Sequence, residues 1–181
     1  MTANPTSPER WVELVDSDGA PVGACPVDEA HRAPGLLHRA FSVLLFDPAG
    51  RILLQRRALD KSRFGGLWSN TCCSHPAPGE SPCAAAARRL AEELGMAAPG
   101  LTDVGVYRYY AADPGGVWVE REHDHVLVGR TSADPEPAPS EVDSWRWADV
   151  PVLHAELAER PELFTPWFAG VLRIAVTSAA S

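Results

Sequence analysis

The most reactive side chains of the sequence stand together in the segment SNTCCSHP, residues 69–76. This segment places the adjacent cysteines Cys72 and Cys73 close to His75. Adjacent cysteines rarely satisfy disulfide geometry without distorting the backbone between them, so we expect free thiols. From this segment alone, a metal site, a nucleophile and small buried side chains all remain open as alternatives.

A pair of carboxylates lies in the segment VEREHDHV, residues 119–126. Glu120 and Glu122 are two residues apart on a predicted strand, so both side chains point to one face. Two like charges side by side are unfavourable unless a cation or a proton lies between them. The pair therefore predicts a cation site or, alternatively, an exposed acidic strand face. His123 and His125 point to the opposite face, where we expect structural or surface roles.

Two further histidines, His31 and His38, lie in the segment AHRAPGLLHRAF. Pro34 and Gly35 stand between them and disfavour a continuous helix, so a loop would have to bring the two rings together. Imidazole is a common ligand of transition metals. The alternative is that each histidine is an ordinary surface or core side chain.

Basic side chains cluster directly after a predicted strand, in QRRALDKSRFGG at residues 55–66. The planar guanidinium groups of Arg56, Arg57 and Arg63, together with the Lys61 ammonium, suit phosphate oxygens. The alternative is a basic loop without a ligand in an otherwise acidic protein.

The segment Pro82–Leu94 predicts a helix, because Ser81 suits the N-cap and Gly95 suits the position after the helix end. On this helix Arg89 and Glu93 would lie one turn apart on one face. They could form an ion pair on a solvated face, or Glu93 could hold a divalent cation. Trp167, in FTPWFAG near the C-terminus, could be a core residue.

Local signals also predict the elements that must position these residues. AFSVLLF and RILLQRR, joined by the turn DPAG, predict a β-hairpin over residues 40–57, and WVELV with DSDG predicts a smaller hairpin near the start. Strand segments are predicted at residues 104–111, 117–122, 125–131 and 144–150, followed by two helices. This order of elements predicts an α+β domain with a mixed sheet.

The composition of the whole chain excludes several classes of protein. We expect a flexible tail over residues 1–10 and one domain over residues 11–181, a length sufficient for a real core. The net charge of -8 argues against a nucleic-acid binder. The sequence has neither the roughly 18 apolar residues of a membrane span nor a secretory signal, so we expect a cytoplasmic protein. No segment indicates an obligate protein partner.

Together these segments resemble the type I isopentenyl-diphosphate isomerases, a branch of the Nudix superfamily. The segments that carry the resemblance, in the family's order over residues 11–175, are LHRAFSVLLFD, LLQRRALDKS, GLWSNTCCSHPAPGES, ARRLAEELG, VEREHDHVLVG, WRWADV and FTPWF. The resemblance implies a Nudix-type mixed sheet flanked by helices, with an N-terminal hairpin extension. It also implies metal-dependent interconversion of isopentenyl and dimethylallyl diphosphate in isoprenoid biosynthesis.

The same resemblance implies two cation sites. Glu93 corresponds to a carboxylate that helps to bind Mg²⁺ together with the diphosphate. The first site would take Mn²⁺ or Mg²⁺, with Zn²⁺ also compatible with its ligand types. The residues that correspond to its ligands are His31, His38, His75, Glu120 and Glu122.

The resemblance further implies an acid–base pair, Cys73 and Glu122, on opposite faces of the substrate, which suits a 1,3 proton shift. Tyr109 would lie beside Glu122, and the π face of Trp167 would stabilise a tertiary carbocation. The residues implied to bind the diphosphate are Arg57, Lys61 and Arg89.

Two positions depart from the patterns of related proteins. Arg89 replaces a glutamate that Nudix diphosphate hydrolases generally use as a metal ligand, which favours an isomerase over a hydrolase. Val27 replaces a lysine that many isomerases carry four residues before the first histidine. This replacement has three possible consequences: weaker diphosphate binding, a substitute basic group, or a longer prenyl diphosphate as substrate. Hydrolysis of a diphosphate and a non-catalytic metal-binding module are further alternatives to isomerisation.

Overall fold

A computed structural model describes residues 10–97 and 100–179, so the expected N-terminal tail lies outside the described residues except for Arg10. The strands are β1 (Trp11–Val15), β2 (Pro21–Pro26), β3 (His38–Phe46), β4 (Ile52–Arg57), β5 (Trp68–Ser69), β6 (Cys72–Ser74), β7 (Thr102–Ala112), β8 (Val119–Arg130) and β9 (Val142–Ala148). The helices are α1 (Val27–His31), α2 (Pro82–Leu94), α3 (Val150–Glu159) and α4 (Phe168–Ala179), with a 3-10 turn at Pro161–Leu163.

Strand β3 is the centre of the mixed sheet. It pairs antiparallel with β1, β4 and β6, and parallel with β8 over its whole length. Because both faces of β3 are covered, its sequence is almost continuously apolar. Phe41 and Val43 pack with α2 on one face, whereas Leu44 and Phe46 pack with α4 on the other. The predicted α+β architecture, with a sheet between helices and an N-terminal β1–β2 hairpin, is confirmed.

Helix α2 has the bounds that its capping residues predict. The Ser81 hydroxyl accepts a hydrogen bond from the Ala84 N–H at 3.2 Å, and Gly95 ends the helix in the left-handed conformation at φ 62°. Leu90 and Leu94 are buried against the sheet. This packing fixes which side chains of α2 face the neighbouring strand β6.

Helix α4 covers the opposite face of the sheet and approaches β7 closely. A Cβ atom at Gly170 would lie 2.2 Å from Cζ of Tyr107, so this approach requires glycine. The Tyr107 ring in turn stacks on Tyr109 with their centroids 5.5 Å apart. The helix therefore helps to fix the position of Tyr109. Within the described residues, no helix is both long enough and apolar enough to cross a membrane.

The prediction of separate strands at residues 117–122 and 125–131 is wrong, because β8 is continuous from Val119 to Arg130. His123 and Asp124 lie between the two predicted segments, and pairing with β3 and β7 on either side buries them. Helix α1 and the short strands β5 and β6 were not predicted. Each is too short for a periodic pattern to appear in its sequence.

Candidate active site

Three histidine rings meet at one end of β3, with centroid separations of 4.5 to 4.9 Å. His31 ends α1, His38 begins β3 and His75 follows β6. The Nδ1 atoms of His31 and His38 each lie 2.7 Å from a backbone carbonyl oxygen, of Val27 and Leu36 respectively. A carbonyl can only accept, so each Nδ1 carries a proton and each Nε2 faces the cluster.

Two carboxylates from β8 complete this cluster. Glu122 Oε1 lies 2.9 Å from His75 Nε2, 3.6 Å from His38 Nε2 and 3.8 Å from His31 Nε2. Glu120 Oε2 lies 2.8 Å from His31 Nε2. The candidate ligand atoms of the three histidines and Glu122 all fall within 4.8 Å of one another, with Glu120 at the edge of the group. The parallel register, which pairs His38 with Glu122, produces this arrangement.

The donor set fits a divalent cation. Nε2 of His38 is buried without a hydrogen-bond partner, and such an atom usually indicates a missing ion or ligand. Burial, reinforced by the neighbouring histidines and partly opposed by Glu122, lowers the pKa of His75 to about 3, so its imidazole is neutral as a ligand requires. The nitrogen and carboxylate donors are compatible with Mn²⁺, Mg²⁺ or Zn²⁺.

Burial and the neighbouring charges act in opposite directions on the pKa values of Glu122 and His31. Although burial favours the neutral acid, the three neighbouring histidines hold the pKa of Glu122 well below its usual range. Burial opposes the charged form of His31, but Glu120 and Glu122 outweigh this and raise its pKa to about 9. A cation that binds here would therefore displace a proton from His31.

The two adjacent cysteines alternate across strand β6. Cys72 is 0% exposed and packs with Phe41 and Val43, as expected for a small buried side chain. Cys73 points the other way and lines a cavity, where Arg57 Nη1 donates to its Sγ at 3.6 Å. Burial, partly opposed by Arg57, raises the pKa of Cys73 to about 12. Its thiol is therefore a neutral proton donor at neutral pH.

Two aromatic side chains border the same cavity as Cys73. The Tyr109 hydroxyl donates to Glu122 Oε2 at 2.6 Å. The Trp167 ring lies 5.8 Å from that of Tyr109 and 5.3 Å from that of Phe64, and its Nε1 donates to Asn70 Oδ1 at 3.1 Å. These contacts hold the indole in place while leaving it on the cavity wall. The cavity is also lined by Cys73, His75, Glu120, Glu122 and Glu93.

The Arg89–Glu93 pair on α2 is buried, which contradicts the alternative of a solvated helix face. Glu93 is 2% exposed and Arg89 9% exposed, and both line the cavity. Arg89 donates to Glu93 Oε1 from Nη2 at 2.6 Å and from Nε at 3.1 Å. The neighbouring pair of Arg88 and Glu92 is exposed. The Glu93 carboxylate therefore lies beside the predicted diphosphate-binding residues, with its charge balanced by Arg89.

The loop after β4 brings basic residues to the cavity. Arg57, Lys61 and Arg63 all line it. Phe64 in this loop has a left-handed φ of 49°, a strained conformation for a residue with a side chain. The Phe64 N–H donates to Asp113 Oδ2 at 3.0 Å, and its carbonyl accepts from Arg57 Nε at 3.1 Å. Asp113 thus helps to hold the loop in place.

Comparisons with known proteins agree with this geometry. The NUDIX domain family matches residues 36–168. An isopentenyl-diphosphate Delta-isomerase of Nocardia farcinica is 63% identical over 91% of this chain and 93% of its own length. The corresponding protein of Streptomyces griseus is 49% identical over 94% of this chain and 86% of its own length. The chain belongs to the isopentenyl-diphosphate Delta-isomerase branch of the Nudix family.

Solved structures support the fold of this Nudix protein. A crystal structure from Deinococcus radiodurans has a TM-score of 0.74 at 20% identity, covering 91% of this chain and 98% of the other. A MutT protein from Methanosarcina mazei has a TM-score of 0.62 at 20% identity, covering 78% of this chain and 94% of the other. At this identity the likeness concerns the fold alone.

The structure brings every site residue that the family resemblance implies to one cavity or to the histidine cluster beside it. The candidate Arg56 does not line this cavity, because its side chain donates to the Gly66 carbonyl and pairs with Asp143 at 3.5 Å. Sequence reasoning missed Arg10, which lines the cavity although its segment was interpreted as a loose tail. It also assigned no role to Asp113. Arg10 carried no local signal, because its position depends on the pairing of β1 with β2. Asp113 lies in the turn sequence DPGG, which carries no local signal for its contact with Phe64.

Proposed function

We propose that this protein interconverts isopentenyl diphosphate and dimethylallyl diphosphate by moving a carbon–carbon double bond. One observation carries the proposal: the Cys73 thiol and the Glu122 carboxylate line one cavity together with basic side chains. A proton donor and a proton acceptor at neutral pH are what a proton shift along an alkene requires. The names of the relatives that are 63% and 49% identical support the same reaction.

In the proposed mechanism, the Cys73 thiol gives its proton to the terminal carbon of the alkene. A C–H bond forms, the π bond breaks and a tertiary carbocation remains. Glu122 removes a proton from the carbon on the other side of the cation, and the electrons of that C–H bond form the new double bond. The reverse sequence returns the starting alkene, so no redox cofactor is needed.

Two aromatic residues have supporting roles in this proposal. The π face of Trp167 would stabilise the carbocation, a contact worth on the order of 2 kcal/mol when it is desolvated. The Tyr109 hydroxyl, which donates to Glu122 Oε2, would orient the carboxylate for proton transfer. The diphosphate would be bound by the predicted basic residues Arg57, Lys61 and Arg89.

The side chains that would hold a divalent cation are His31, His38, His75 and Glu122, with Glu120 at the edge of the site. A bound Mn²⁺, Mg²⁺ or Zn²⁺ supplies positive charge that offsets the two carboxylates and tunes the proton affinity of Glu122. Glu93 would contribute to a second site, for Mg²⁺ that accompanies the diphosphate. We further propose that residues 11–181 act as one cytoplasmic catalytic domain without an obligate protein partner.

Incubation of the protein with isopentenyl diphosphate and Mg²⁺ in D₂O tests the proposed function. We expect dimethylallyl diphosphate to form and deuterium to enter the recovered substrate and product, because both half-reactions exchange protons with the enzyme. Cys73→Ala in the same incubation is the control. Absence of both exchange and product with the folded wild-type protein would refute the proposal.

A second candidate substrate is favoured by Val27, which stands where many isomerases carry a lysine. A longer prenyl diphosphate could undergo the same protonation and then isomerise or cyclise. Parallel incubations with five-, ten- and fifteen-carbon diphosphates separate the two candidates, and we expect the five-carbon substrate to be preferred. Assay of released phosphate in the same samples tests Nudix hydrolysis, which the replacement of a glutamate by Arg89 disfavours.

A further inference from the structure

Most basic side chains on the cavity wall already have a partner within the protein. Arg57 donates to the carbonyl oxygens of Arg63 and Phe64 and to Cys73 Sγ. The carboxylate pairs are Lys61 with Glu141, Arg63 with Glu120 at 3.4 Å, and Arg89 with Glu93 at 2.6 Å. A ligand that binds these three cations must share them with carboxylates of the protein.

Arg10 differs from these residues. It lines the same cavity, yet within residues 10–97 and 100–179 its guanidinium makes neither an ion pair nor a hydrogen bond. The guanidinium group has five N–H donors in a fixed planar arrangement and cannot lose its charge at physiological pH. Arg10 therefore offers the cavity a cation whose donors are all available to an anionic ligand.

The backbone fixes where this side chain starts. The Arg10 carbonyl accepts a hydrogen bond from the Val27 N–H at 2.8 Å, next to the pairing of Trp11 with Pro26. Arg10 is thus held beside the residue that replaces the lysine of many isomerases. It also borders an adjacent cavity whose walls include Val27, His75 and Arg89. The side chain therefore lies on the wall that the two cavities share.

We propose that Arg10 binds the diphosphate of the substrate and supplies the positive charge that Val27 lacks. Guanidinium groups bind phosphate oxygens through two parallel N–H···O bonds, which gives orientation as well as affinity. The inference rests on the proposed function, because the diphosphate belongs to that substrate. Since the diphosphate is unchanged by the reaction, this contact is made equally in the ground state and the transition state. Its loss should raise KM and leave kcat nearly unchanged.

Arg10→Gln tests the role of Arg10, with Arg130→Gln as the matched control. Arg130 is exposed at the end of β8 and is not among the residues that line the cavity. We expect Arg10→Gln to raise KM for isopentenyl diphosphate about tenfold or more, because one charge-assisted contact is lost. Its kcat should stay within about twofold of the wild-type value. Arg130→Gln should leave both constants within about twofold. Circular dichroism checks that each variant is folded.

Calorimetric titration with inorganic pyrophosphate and Mg²⁺ gives a readout that needs no turnover. We expect Arg10→Gln to weaken pyrophosphate binding by about the same factor as it raises KM. Val27→Lys in the Arg10→Gln background should restore part of both losses, because it returns one positive charge to the same wall. Unchanged KM and unchanged pyrophosphate affinity in Arg10→Gln would overturn the inference.

The two proposals can fail separately. If the wild-type protein does not convert isopentenyl diphosphate but its pyrophosphate affinity still depends on Arg10, the proposed function fails and the role of Arg10 in binding a diphosphate stands. If turnover is present and Arg10→Gln lowers kcat without raising KM, the proposed function stands and this inference is overturned.

Discussion

The same substitution at two adjacent positions should separate catalysis from stability. Cys73 lines the cavity, whereas Cys72 is 0% exposed and packs between β3 and α2. We expect Cys73→Ala to abolish proton donation to the alkene and Cys72→Ala to remove only a sulfur atom from the core. Because the changes are chemically identical and the residues are neighbours on β6, each variant is the matched control for the other.

The magnitudes follow from these two environments. Loss of a general acid typically costs about 10²–10⁴-fold in rate, so kcat of Cys73→Ala should fall by at least two orders of magnitude. Its free energy of unfolding should change by less than about 1 kcal/mol, because the thiol faces a cavity. Cys72→Ala removes buried packing contacts, so its free energy of unfolding should fall by about 1 kcal/mol and its Tm by roughly 2–4 °C in a domain of this size. Its kcat should remain within about twofold of wild type.

Product formation followed by NMR and thermal unfolding followed by circular dichroism measure both effects on the same samples. The reasoning is refuted if folded Cys73→Ala keeps more than about a tenth of the wild-type kcat, since a general acid contributes more than this. It is equally refuted if Cys72→Ala remains folded but is inactive, because the two thiols would then not have separate roles.

Three further predictions concern the ion pair on α2, the histidine cluster and the aromatic wall. Arg89→Met leaves the buried Glu93 carboxylate without its ion-pair partner, so the free energy of unfolding should fall by about 3 kcal/mol. Exposed Arg88→Met should lower it by less than about 1 kcal/mol, and thermal unfolding measures both changes. Mn²⁺ at 100 times its Kd should raise the free energy of unfolding of the wild-type protein by about 2.7 kcal/mol and that of His38→Ala by much less. Equal shifts in Tm for the two proteins would argue against the histidine cluster as the binding site. Trp167→Phe keeps a π face and should retain more kcat than Trp167→Leu, so equal kcat values would indicate a packing role only.

The elements that could be predicted from the sequence are those with local signals. The capping residues Ser81 and Gly95 lie on either side of a run of helix formers, and the turn DPAG separates two apolar segments, so α2 and the β3–β4 hairpin were predictable. The parallel pairing of β3 with β8 has no local signal, since it joins segments distant in the sequence. The continuity of β8 likewise depends on its pairing with β3 and β7 on both edges, which bring in segments distant from it in the sequence.

For the candidate site, residue types could be predicted but environments could not. An Arg–Glu pair one turn apart on a helix looks the same whether it is solvated or buried, and only the packing of α2 shows that Arg89 and Glu93 line a cavity. The position of Arg10 depends on the hydrogen bond between its carbonyl and Val27. Such contacts depend on tertiary structure, so no pattern around either residue indicates them.

The parallel pairing of β3 with β8 has a consequence for the order in which the protein assembles. Between these two strands, the Ser42 hydroxyl donates a hydrogen bond to Asp124, which lies 82 positions away in the chain. Contacts of such long range form slowly, because the intervening chain must first lose much of its conformational entropy. His38 meets Glu122 only through this pairing, so the complete set of cation ligands should form late in folding. We therefore expect Mn²⁺ to lower the rate constant of unfolding by a far larger factor than it raises the rate constant of folding.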